Sequence, residues 1–598
     1  MSRIEGIKSR YKFKQLFNIK DLIENAVKNN GENIAFILKK ANLTNVELFE
    51  NRYILEGEYI KITYNMLYRD IIALSKYLIQ ISTPNDYNKS SEFATKISVM
   101  GKNSYFWIVT YISTLLADYI TVPLDKSLTS LELNNLLKQS GSETLIYDDE
   151  LENTVNKVME DLKTENIELK QKINMKELIS IIIDIEEKQK NNEIPELEEK
   201  FNNIQLKEDD VRIIVYTSGT TSSAKGVMLT QKNIVRNTEV INRSVKVYNY
   251  DKTLAFLPYH HTLGLIAQLI FISVGAQTAY CDGLRYVAKN IQEYGCTAFL
   301  GVPALIEALY KNVVIQIRKK GFEKKVNTAL KISNFLLKFK IDLRRVFFKS
   351  ILKQIGGLRM IVSGASALSP EVQKGLIDFG IETIQGYGLT ETSPVISVET
   401  QFEKKTGSVG VALPEITVEI RDKDEKGIGD IYTKSPCVMK GYYKNEEATK
   451  EVLQDGWFKT GDLGYITDNK FLHICGRSKN MIVLKNGKKI FPEELEEKLM
   501  TISLIEECFV FGLKQEDEDE KVTVKAKYSE EIAKLENLQT EEEIYEAIWK
   551  QIKEINKGMP KYKYIKGLII TNKDFIKTSS NKIKRFEEIK LIQAELEK

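Results

Sequence analysis

YTSGTTSSAKGVMLTQKN, residues 216–233, is the most informative stretch of this sequence. It continues VRIIVY, a short apolar run that predicts a buried strand. The loop after that strand carries hydroxyl groups, glycines and one cation, which together suit the oxygens of a polyphosphate. A Ser/Thr/Gly stretch is often a plain surface loop, and the Walker pattern Gly-x-x-x-x-Gly-Lys-Ser/Thr is absent, so the assignment depends on its neighbours. The candidate phosphate-binding residues are Thr217, Ser218, Gly219, Thr220, Thr221 and Lys225.

The segments on either side of this loop predict an α/β protein. From Ile34 to Asp148, apolar runs alternate with amphipathic stretches, which indicates α/β layers. Between residues 149 and 210, LENTVNKVMEDLKTEN predicts an exposed helix, and LISIIIDI, Leu178–Ile185, predicts a buried strand. Residues 407–473 are rich in turn and β signals. ECFVFGL, KVTVKAKYS and EEEIYEAIWKQIKEINK then predict two strands and a helix of a small α+β domain.

Length and composition favour a multidomain enzyme. The chain has 598 residues, 43% of them hydrophobic and 28% charged, and a net charge of only +3. That weak basic excess argues against nucleic acid as a partner. The N-terminus lacks the apolar run of a secretory signal, so we expect a cytoplasmic protein. Thr253–Cys281 contains no charged residue except histidine, but its Pro258, glutamines and glycines favour buried core over a membrane span.

Further motifs follow the loop in a fixed order: QGYGLTETSP at 385–394, GSVG at 407–410, VMKGYYKNEEAT at 438–449, DGWFKTGDLGYI at 455–466, GRSKNMIVLKNGKKIFPEELE at 476–496 and KTSSNKIKR at 577–585. Together with the loop, this set resembles the signature of the AMP-forming adenylating enzymes, closest to bacterial long-chain fatty acid:CoA ligases. The resemblance implies a large N-terminal α/β domain with a β-rich subdomain, residues 1–478. It also implies a small mobile α+β domain, residues 479–598.

The resemblance implies a role for each motif in binding ATP. Tyr387 would stack on adenine, Thr390 would contact the α-phosphate, and Glu391, with Thr220, would hold Mg²⁺. Asp462 would accept the ribose hydroxyls, supported by Arg477. The remaining nucleotide-binding positions implied by the resemblance are Gly364, Ala365, Ser366, Gln385, Gly386 and Gly388.

The resemblance also implies that Lys582 is the catalytic lysine. A carboxylate is already ionised at neutral pH, so attack on phosphorus needs a cation that offsets anionic repulsion rather than a general base. Lys479 would be the hinge about which the small domain turns between the two half-reactions. Gly487 would then lie at the tunnel through which the pantetheine arm of coenzyme A enters, although an Asn-Gly turn also explains this glycine.

The sequence departs from the family pattern at a few positions. Ser222, Ala224 and Gln231 stand where glycine, proline and histidine are usual, and Asn581 replaces the glycine before the catalytic lysine. Asp430, Lys434 and Ser435 weaken another family stretch. These changes keep the phosphate-binding chemistry and bear on turnover rate more than on activity.

The class of acid is predicted from LPYHHTLGLIAQLIFISVGA, residues 257–276. In the family this region lines the acyl pocket, with His261 near the carboxylate and Gly264 close by. An amino acid substrate needs a carboxylate for its ammonium group, and this stretch contains none, so an apolar acid is favoured. Residues 311–353 carry thirteen Lys/Arg against two acidic residues, interleaved with apolar residues. Such a segment suits an anionic membrane at the inner face, or simply a solvated helix face.

The sequence therefore predicts an AMP-forming ligase that uses ATP, Mg²⁺ and coenzyme A to activate a long-chain fatty acid. A second hypothesis keeps the adenylation step and transfers the acyl group to an acyl-carrier protein, because both acceptors present phosphopantetheine. A third is an inactive homologue that binds nucleotide or lipid, against which the presence of Lys582 and Glu391 argues.

Overall fold

The computed structural model describes residues 1–82, 94–164, 169–217, 224–484, 488–513, 520–577 and 582–596. The chain divides into two compact units. The large unit comprises Glu5–Thr417 and Lys434–Phe458, and the small unit comprises Met1–Ile4, Val418–Thr433 and Lys459–Lys598. The predicted α/β fold with a smaller C-terminal domain is confirmed. The predicted domain boundary between residues 478 and 479 stays a prediction.

A seven-stranded sheet in the large unit holds the hairpin that carries the phosphate-loop sequence. Its parallel strands bury both faces, as expected from their continuous apolar runs. The hairpin and a two-residue strand are added at one edge with antiparallel pairing. In sheet order the strands are Gly441–Tyr442, Lys225–Thr230, Val211–Thr217, Ile120–Leu124, Lys96–Met100, Thr144–Tyr147 and Gln171–Asn174.

The large unit also contains two five-stranded sheets. Each combines parallel with antiparallel pairing. One has the order Lys252–Ala255, Gln277–Tyr280, Ile34–Lys39, Tyr59–Thr63 and Ile54–Glu56. The other has the order Ala298–Gly301, Met360–Ser363, Glu382–Gly388, Val395–Val398 and Val411–Ala412.

The helices of the large unit pack against these sheets through apolar faces. Tyr105–Leu116 is buried along its whole length, and Thr262–Val274 is largely buried, which confirms that the uncharged stretch around it is core. No helix in the described ranges is both long and apolar enough to span a membrane. The other helices are Ile19–Asn30, Val46–Arg52, Tyr64–Ile81, Ser130–Ser140, Glu152–Thr164, Leu178–Lys190, Pro195–Asn202, Gln231–Asn242, Val287–Tyr294, Pro303–Lys319, Glu323–Leu337, Arg344–Phe347, Lys349–Gln354, Pro370–Asp378 and Glu446–Val452.

One predicted element is wrong. LISIIIDI was expected to be a strand, but it begins the helix Leu178–Lys190. Its buried residues are Leu178, Ile179, Ile182 and Ile185, which recur at the spacing of one helix face. A short apolar run does not distinguish the two structures, and here the following polar residues extend the helical pattern well beyond a typical strand.

The small unit contains a β-rich part followed by a compact α+β part. The β-rich part includes the strands Arg3–Glu5, Thr417–Arg421, Gly429–Lys434, Trp457–Ile466 and Leu472–Arg477, some of which begin or end in the large unit, and Leu453–Gln454 pairs with Trp457 and Phe458. The α+β part has the strands Ile482–Val483, Lys489–Ile490, Ile505–Leu513, Lys521–Tyr528 and Gly567–Thr571. Its helices are Pro492–Leu499, Glu530–Leu535, Glu541–Lys557 and Arg585–Leu596. The three elements predicted for this part are confirmed.

A buried carboxylate joins the two five-stranded sheets. Asp251, which precedes the strand Lys252–Ala255, is fully buried. It accepts hydrogen bonds from the Thr297 hydroxyl at 2.7 Å and from Arg359 Nε at 2.8 Å. Arg359 directly precedes the strand Met360–Ser363, so this ion pair fixes one sheet against the other.

We expect Asp251→Ala to lower the free energy of unfolding by about 3–5 kcal/mol, because it leaves the Arg359 charge uncompensated inside the protein. Urea denaturation followed by tryptophan fluorescence measures this. The matched control is Asp184→Ala, which removes an exposed ion pair with Lys188 and should change the free energy by less than about 0.5 kcal/mol. Equal effects of the two substitutions would contradict the assignment.

Candidate active site

The two ends of the phosphate-loop sequence meet at the end of a hairpin. Thr217 and Lys225 are paired residues of antiparallel strands, and the Thr217 hydroxyl donates to the Lys225 carbonyl at 3.4 Å. Ser218, Gly219, Thr220 and Thr221 lie outside the described residues. Their predicted contacts with phosphate, including that of Thr220 with Mg²⁺, therefore stay predictions.

Tyr442 connects three of the motifs. The ammonium of Lys225 lies 4.8 Å from the centre of the Tyr442 ring. The hydroxyl of the same tyrosine donates to Glu391 Oε1 at 2.9 Å. The backbone N–H of Met439 donates to the Glu391 carbonyl at 2.8 Å. The loop lysine and the glutamate expected to bind Mg²⁺ thus contact the same aromatic side chain, the lysine over its ring and the glutamate at its hydroxyl.

Sequence reasoning assigned no role to Tyr442, although it lies in the quoted motif VMKGYYKNEEAT. The available signal was its position directly after a glycine in a short β segment. The structure places it in a two-residue strand whose partner is Val227, two residues after Lys225. Only that strand pairing brings the ring below the lysine.

The segment predicted to bind the acid begins beside Thr390. The hydroxyls of Thr262 and Thr390 are 3.4 Å apart. His261 directly precedes Thr262 and is the N-terminal cap position of the helix Thr262–Val274. Its ring centre is 4.3 Å from that of His260. The predicted carboxylate end of the acyl segment and the predicted α-phosphate ligand are therefore neighbours.

Gly264 has a packing role. A Cβ atom at this position would lie 2.4 Å from the Pro258 carbonyl oxygen and 2.6 Å from that of Leu257. No side chain fits that close approach to backbone. The glycine therefore allows the helix to pass directly over the preceding turn, whatever its relation to the acyl group.

A small cavity lies beside this turn and is mostly apolar. Its polar residues are Thr253, Tyr259 and Gln268. The Gln268 amide accepts from the Tyr259 hydroxyl at 2.8 Å and donates to Thr278 at 3.0 Å. The described residues that line it include no carboxylate. The apolar lining includes Leu254, Phe256, Leu257, Phe271 and Leu300.

The predicted adenine-binding residues lie at the ends of parallel strands. Ser363 pairs with Gln385 and with Gly301, so the carboxyl ends of three strands meet there. Gly364 is buried, whereas Ala365, with a φ of 75°, and Ser366 are exposed. Exposed backbone at such an edge is where open α/β sheets bind ligands.

The Gln385 side chain makes hydrogen bonds to other residues of the protein. It accepts from the Leu368 N–H at 2.9 Å and donates to Gln373 at 3.3 Å. It thereby fixes the loop that follows Ser366. Gly386 and Tyr387 continue the strand, and Tyr387 pairs with Ser397.

Gly388 allows a close backbone approach. A Cβ atom there would lie 1.8 Å from the Pro394 carbonyl oxygen. The turn that presents Thr390 and Glu391 is therefore closed against the next strand. Any side chain at position 388 would displace both predicted ligands.

In the small unit, Asp462 and Arg477 form the predicted pair. They are opposite residues of adjacent antiparallel strands, and Arg477 Nε lies 2.9 Å from Asp462 Oδ1. Asp462 is buried, while the arginine side chain is half exposed. Lys479, the predicted hinge, lies two residues further on in the short 3₁₀ helix Ser478–Asn480.

Lys582 lies near this pair. Desolvation by surrounding protein atoms lowers the pKa of Lys582, and the positive charge of Arg477 lowers it further, while Asp462 raises it. The lysine side chain nevertheless retains exposed surface. A crowded ammonium that still reaches solvent is suited to meet an anionic ligand.

Two of the three other basic residues of the lysine motif, Lys577 and Arg585, are structural anchors. Lys577 Nζ donates to Glu507 at 2.6 Å, and Arg585 donates to Glu496 at 2.5 Å. Lys577 also bridges to Ile583 through the backbone. These contacts hold both sides of Lys582 in place. Thr578, Asn581 and Gly487 lie outside the described residues.

The family comparison decides the identity of the fold. The AMP-binding enzyme family matches residues 42–443, about two thirds of the chain. This chain belongs to the AMP-binding enzymes. The AMP-binding enzyme C-terminal domain matches residues 479–598. The resemblance to the AMP-forming adenylating enzymes is confirmed.

Several curated AMP-binding enzymes are similar to part of the chain. Long chain acyl-CoA synthetase 6, peroxisomal, from Arabidopsis thaliana is 34% identical over 325 residues, 51% of this chain and 46% of that protein. The chloroplastic long-chain-fatty-acid–[acyl-carrier-protein] ligase AEE15 from the same plant is 29% identical, over 52% of this chain and 51% of that protein. The chain thus spans about half the length of the curated relatives it matches.

Solved structures of AMP-binding enzymes share the fold. The anthranilate CoA ligase AuaEII in complex with anthranoyl-AMP has a TM-score of 0.71 at 17% identity, covering 97% of this chain and 98% of that chain. ATP-bound MatB from Rhodopseudomonas palustris has a TM-score of 0.68 at 18% identity, covering 96% and 99%.

We expect Tyr442→Phe to lower kcat/KM for MgATP roughly 10- to 100-fold in this AMP-binding enzyme, because a hydrogen bond to a charged group is worth about 1.5–3 kcal/mol. The phenyl ring would remain beneath Lys225. Pyrophosphate exchange at varied MgATP measures the effect.

The adjacent Tyr443→Phe is the matched control, since the Tyr443 hydroxyl faces the Ser140 carbonyl at 3.4 Å and not Glu391. The control should keep most of its activity. If both variants lose activity equally, the loss is not due to the contact with Glu391.

Proposed function

We propose that this chain is a long-chain fatty acid:CoA ligase of the AMP-forming class. It joins the carboxylate to AMP, releases pyrophosphate, and then transfers the acyl group to the thiol of coenzyme A. The observation that carries the proposal is the convergence of Lys225, Tyr442, Glu391, Thr390 and Thr262 in the large unit. This cluster combines a cation, a carboxylate and three hydroxyls beside an apolar segment.

In the first half-reaction a carboxylate oxygen attacks the α-phosphorus, and the bond to pyrophosphate breaks. The carboxylate needs no general base, because carboxyl groups have pKa values of roughly 4–5. The barrier is the repulsion between two anions. Lys225 offsets charge on the outer phosphates, Thr390 donates to the α-phosphate, and Lys582 offsets the charge that develops between the carboxylate and phosphorus.

The cluster also fits Mg²⁺. This ion prefers oxygen ligands and is usually held by one or two carboxylates together with substrate phosphates. Glu391 supplies such a carboxylate, and the hydrogen bond from Tyr442 orients it. When bound, Mg²⁺ neutralises phosphate charge and stabilises pyrophosphate as the leaving group.

In the second half-reaction the thiol sulfur attacks the acyl carbon, AMP leaves, and the thiol proton is released. The acyl-adenylate is a good substrate for this attack because AMP is a stable anion. By resemblance, a rotation about Lys479 withdraws Lys582 and brings the Gly487 loop to the thiol entrance between the two steps. Asp462 and Arg477 bind the ribose in this proposal.

The segment LPYHHTLGLIAQLIFISVGA, residues 257–276, contains no Asp or Glu that could bind a substrate ammonium group, which favours a fatty acid over an amino acid. Two relatives at about 30% identity are named for long-chain acids. One is named as an acyl-carrier-protein ligase, so transfer to that carrier is the second candidate function. We also propose that the enzyme is cytoplasmic.

We expect palmitate-dependent exchange of labelled pyrophosphate into ATP by the wild type, and a loss of at least 10²- to 10³-fold in Lys582→Ala, the range for removing one electrostatic stabiliser of a transition state. Lys584→Ala is the matched control, because that neighbouring lysine pairs with Glu587. Wild-type exchange that survives in Lys582→Ala would refute the catalytic assignment. Absence of exchange in the wild type, with MgATP bound, would favour an inactive homologue.

Adding an acceptor to the same reaction distinguishes the two candidate functions. Coenzyme A and phosphopantetheinylated carrier protein are supplied separately at equal concentration, and thioester formation is measured. A ratio of rates well above one for coenzyme A supports the ligase proposed first. The inverse ratio supports the carrier-protein ligase.

The lowered pKa of Lys582 predicts the pH dependence of adenylation. Only the ammonium form stabilises the anionic transition state, so activity is present below the pKa and is lost as pH rises through it. The alkaline limb of kcat/KM should therefore lie below the ordinary lysine value of 10.5. In Lys582→Arg the guanidinium stays charged, so the residual activity should persist to higher pH. Coincident alkaline limbs would show that another group titrates.

A further inference from the structure

Residues 311–353, here the basic segment, expose large apolar side chains. Of the 22 exposed large hydrophobic residues in the described part of the chain, eight lie in this short segment. Such clustering departs from the scattered exposure normal at a protein surface. The eight are Ile315, Phe322, Ile332, Phe335, Phe339, Ile341, Val346 and Phe347.

The helix Glu323–Leu337 shows how this exposure arises. Val326, Ala329 and Leu330 pack against the apolar core of the large unit, and their spacing places them on one helix face. The opposite face therefore carries Lys324, Lys331 and Phe335. Ile332 and Lys325 lie beside them on the same outward side. Basic and apolar residues thus alternate on the surface that faces away from the core.

The aromatic residues of the basic segment are organised. Phe335 and Phe339 make an edge-to-face contact with ring centres 5.2 Å apart. Both side chains are about 60% exposed. The ammonium of Lys325 lies 5.5 Å from the centre of the Phe322 ring. A cation therefore accompanies an exposed ring at one end of the helix, and two rings form a pair at the other.

The positive charge of the basic segment lies mainly on its lysines. Both acidic residues pair with arginines, Glu323 with Arg318 at 3.0 Å and Asp342 with Arg344 at 2.7 Å. Arg345 donates to backbone carbonyls of the large unit, including that of Leu358 at 2.9 Å. Arg344 and Arg345 therefore anchor the segment to backbone carbonyls outside it. Exposed lysines include Lys319, Lys320, Lys324, Lys325, Lys331, Lys338 and Lys340.

We propose that the basic segment binds the surface of an anionic lipid bilayer, with its lysines at the level of the headgroups and its phenylalanines at the acyl boundary. In an anionic bilayer the negatively charged headgroups lie directly above the apolar acyl chains. This arrangement matches the outward face of the segment, where lysines and apolar side chains alternate. Binding to nucleic acid or to an acidic protein would explain the exposed lysines but not the exposed apolar side chains beside them. This surface is separate from the site of the proposed ligase reaction.

The distribution of charge supports the same orientation. The basic segment carries a net +11, whereas the whole chain carries +3, so the remaining residues carry −8. An anionic surface attracts the segment and repels the rest of the chain. Binding should therefore fall steeply with salt, since the screening length falls from roughly 10 Å at 0.1 M to roughly 3 Å at 1 M.

The test is flotation of the full chain with vesicles of phosphatidylcholine alone or with one third phosphatidylglycerol, without ATP or fatty acid. We expect the wild type to bind the anionic vesicles at least tenfold more strongly. Glutamine at Lys319, Lys320, Lys324 and Lys325 should reduce that binding at least tenfold, since each lysine near the surface contributes about fivefold. Phe335→Ser with Phe339→Ser should also reduce it at least tenfold, and that loss should persist at low salt.

Two matched controls make the same kinds of substitution, lysine to glutamine and apolar residue to serine, outside the basic segment. Glutamine at Lys157, Lys163, Lys190 and Lys200 alters four exposed lysines outside the segment, and Leu131→Ser with Leu284→Ser removes two exposed leucines. Both controls should bind as the wild type does. Unchanged thermal unfolding of all variants shows that they remain folded.

Absence of vesicle binding by the wild type would overturn the proposal, as would binding that neither set of variants in the segment reduces. Self-association that is lost in Phe335→Ser with Phe339→Ser, without vesicle binding, would instead identify a second copy of this chain as the occupant. Because the assay contains no substrate, its outcome is independent of the adenylation proposal.

Discussion

The contact of Tyr442 with Glu391 on one side and Lys225 on the other is the constraint on which the large-unit site depends. One side chain contacts groups of both charges: the ring face attracts the ammonium, and the hydroxyl donates to the carboxylate. In the proposed function the lysine would bind phosphate and the glutamate would bind Mg²⁺.

Much of the fold and of the candidate site could be predicted from short motifs. The buried strand VRIIVY, the strands and helix of the small α+β part, and the pair Asp462 with Arg477 all depend on local pattern or on a family signature. Tyr442 could not be found in this way. It lies 51 residues from Glu391 and far from Lys225 in the chain, and only a two-residue strand at a sheet edge brings them together. The helix that begins at Leu178 was mistaken for a strand because its apolar run is too short to define a period.

The motif around Lys582 shows a similar division of roles. A lysine-rich tail suggests several equivalent cations, but the structure distinguishes them. Lys577 and Arg585 are bound to Glu507 and Glu496. Their ion pairs fix the backbone on either side of Lys582, which is itself crowded by surrounding protein atoms. In the proposed function this motif combines two anchors with one reactive lysine; the family resemblance points to Lys582, and the ion pairs of Lys577 and Arg585 are seen only in the structure.

Charge segregation explains why the overall composition conveys so little about partners. A net charge of +3 over 598 residues predicts no preference for any charged surface. Thirteen basic residues nevertheless lie in one segment, residues 311–353. Two of its arginines, Arg344 and Arg345, donate hydrogen bonds to backbone carbonyls of the large unit and hold the segment in place. The lysines then face outward together with aromatic rings that no core requires. The rest of the chain carries a net negative charge, so an anionic bilayer attracts the basic segment and repels the other residues. Such a bilayer would therefore bind the protein in one orientation rather than many.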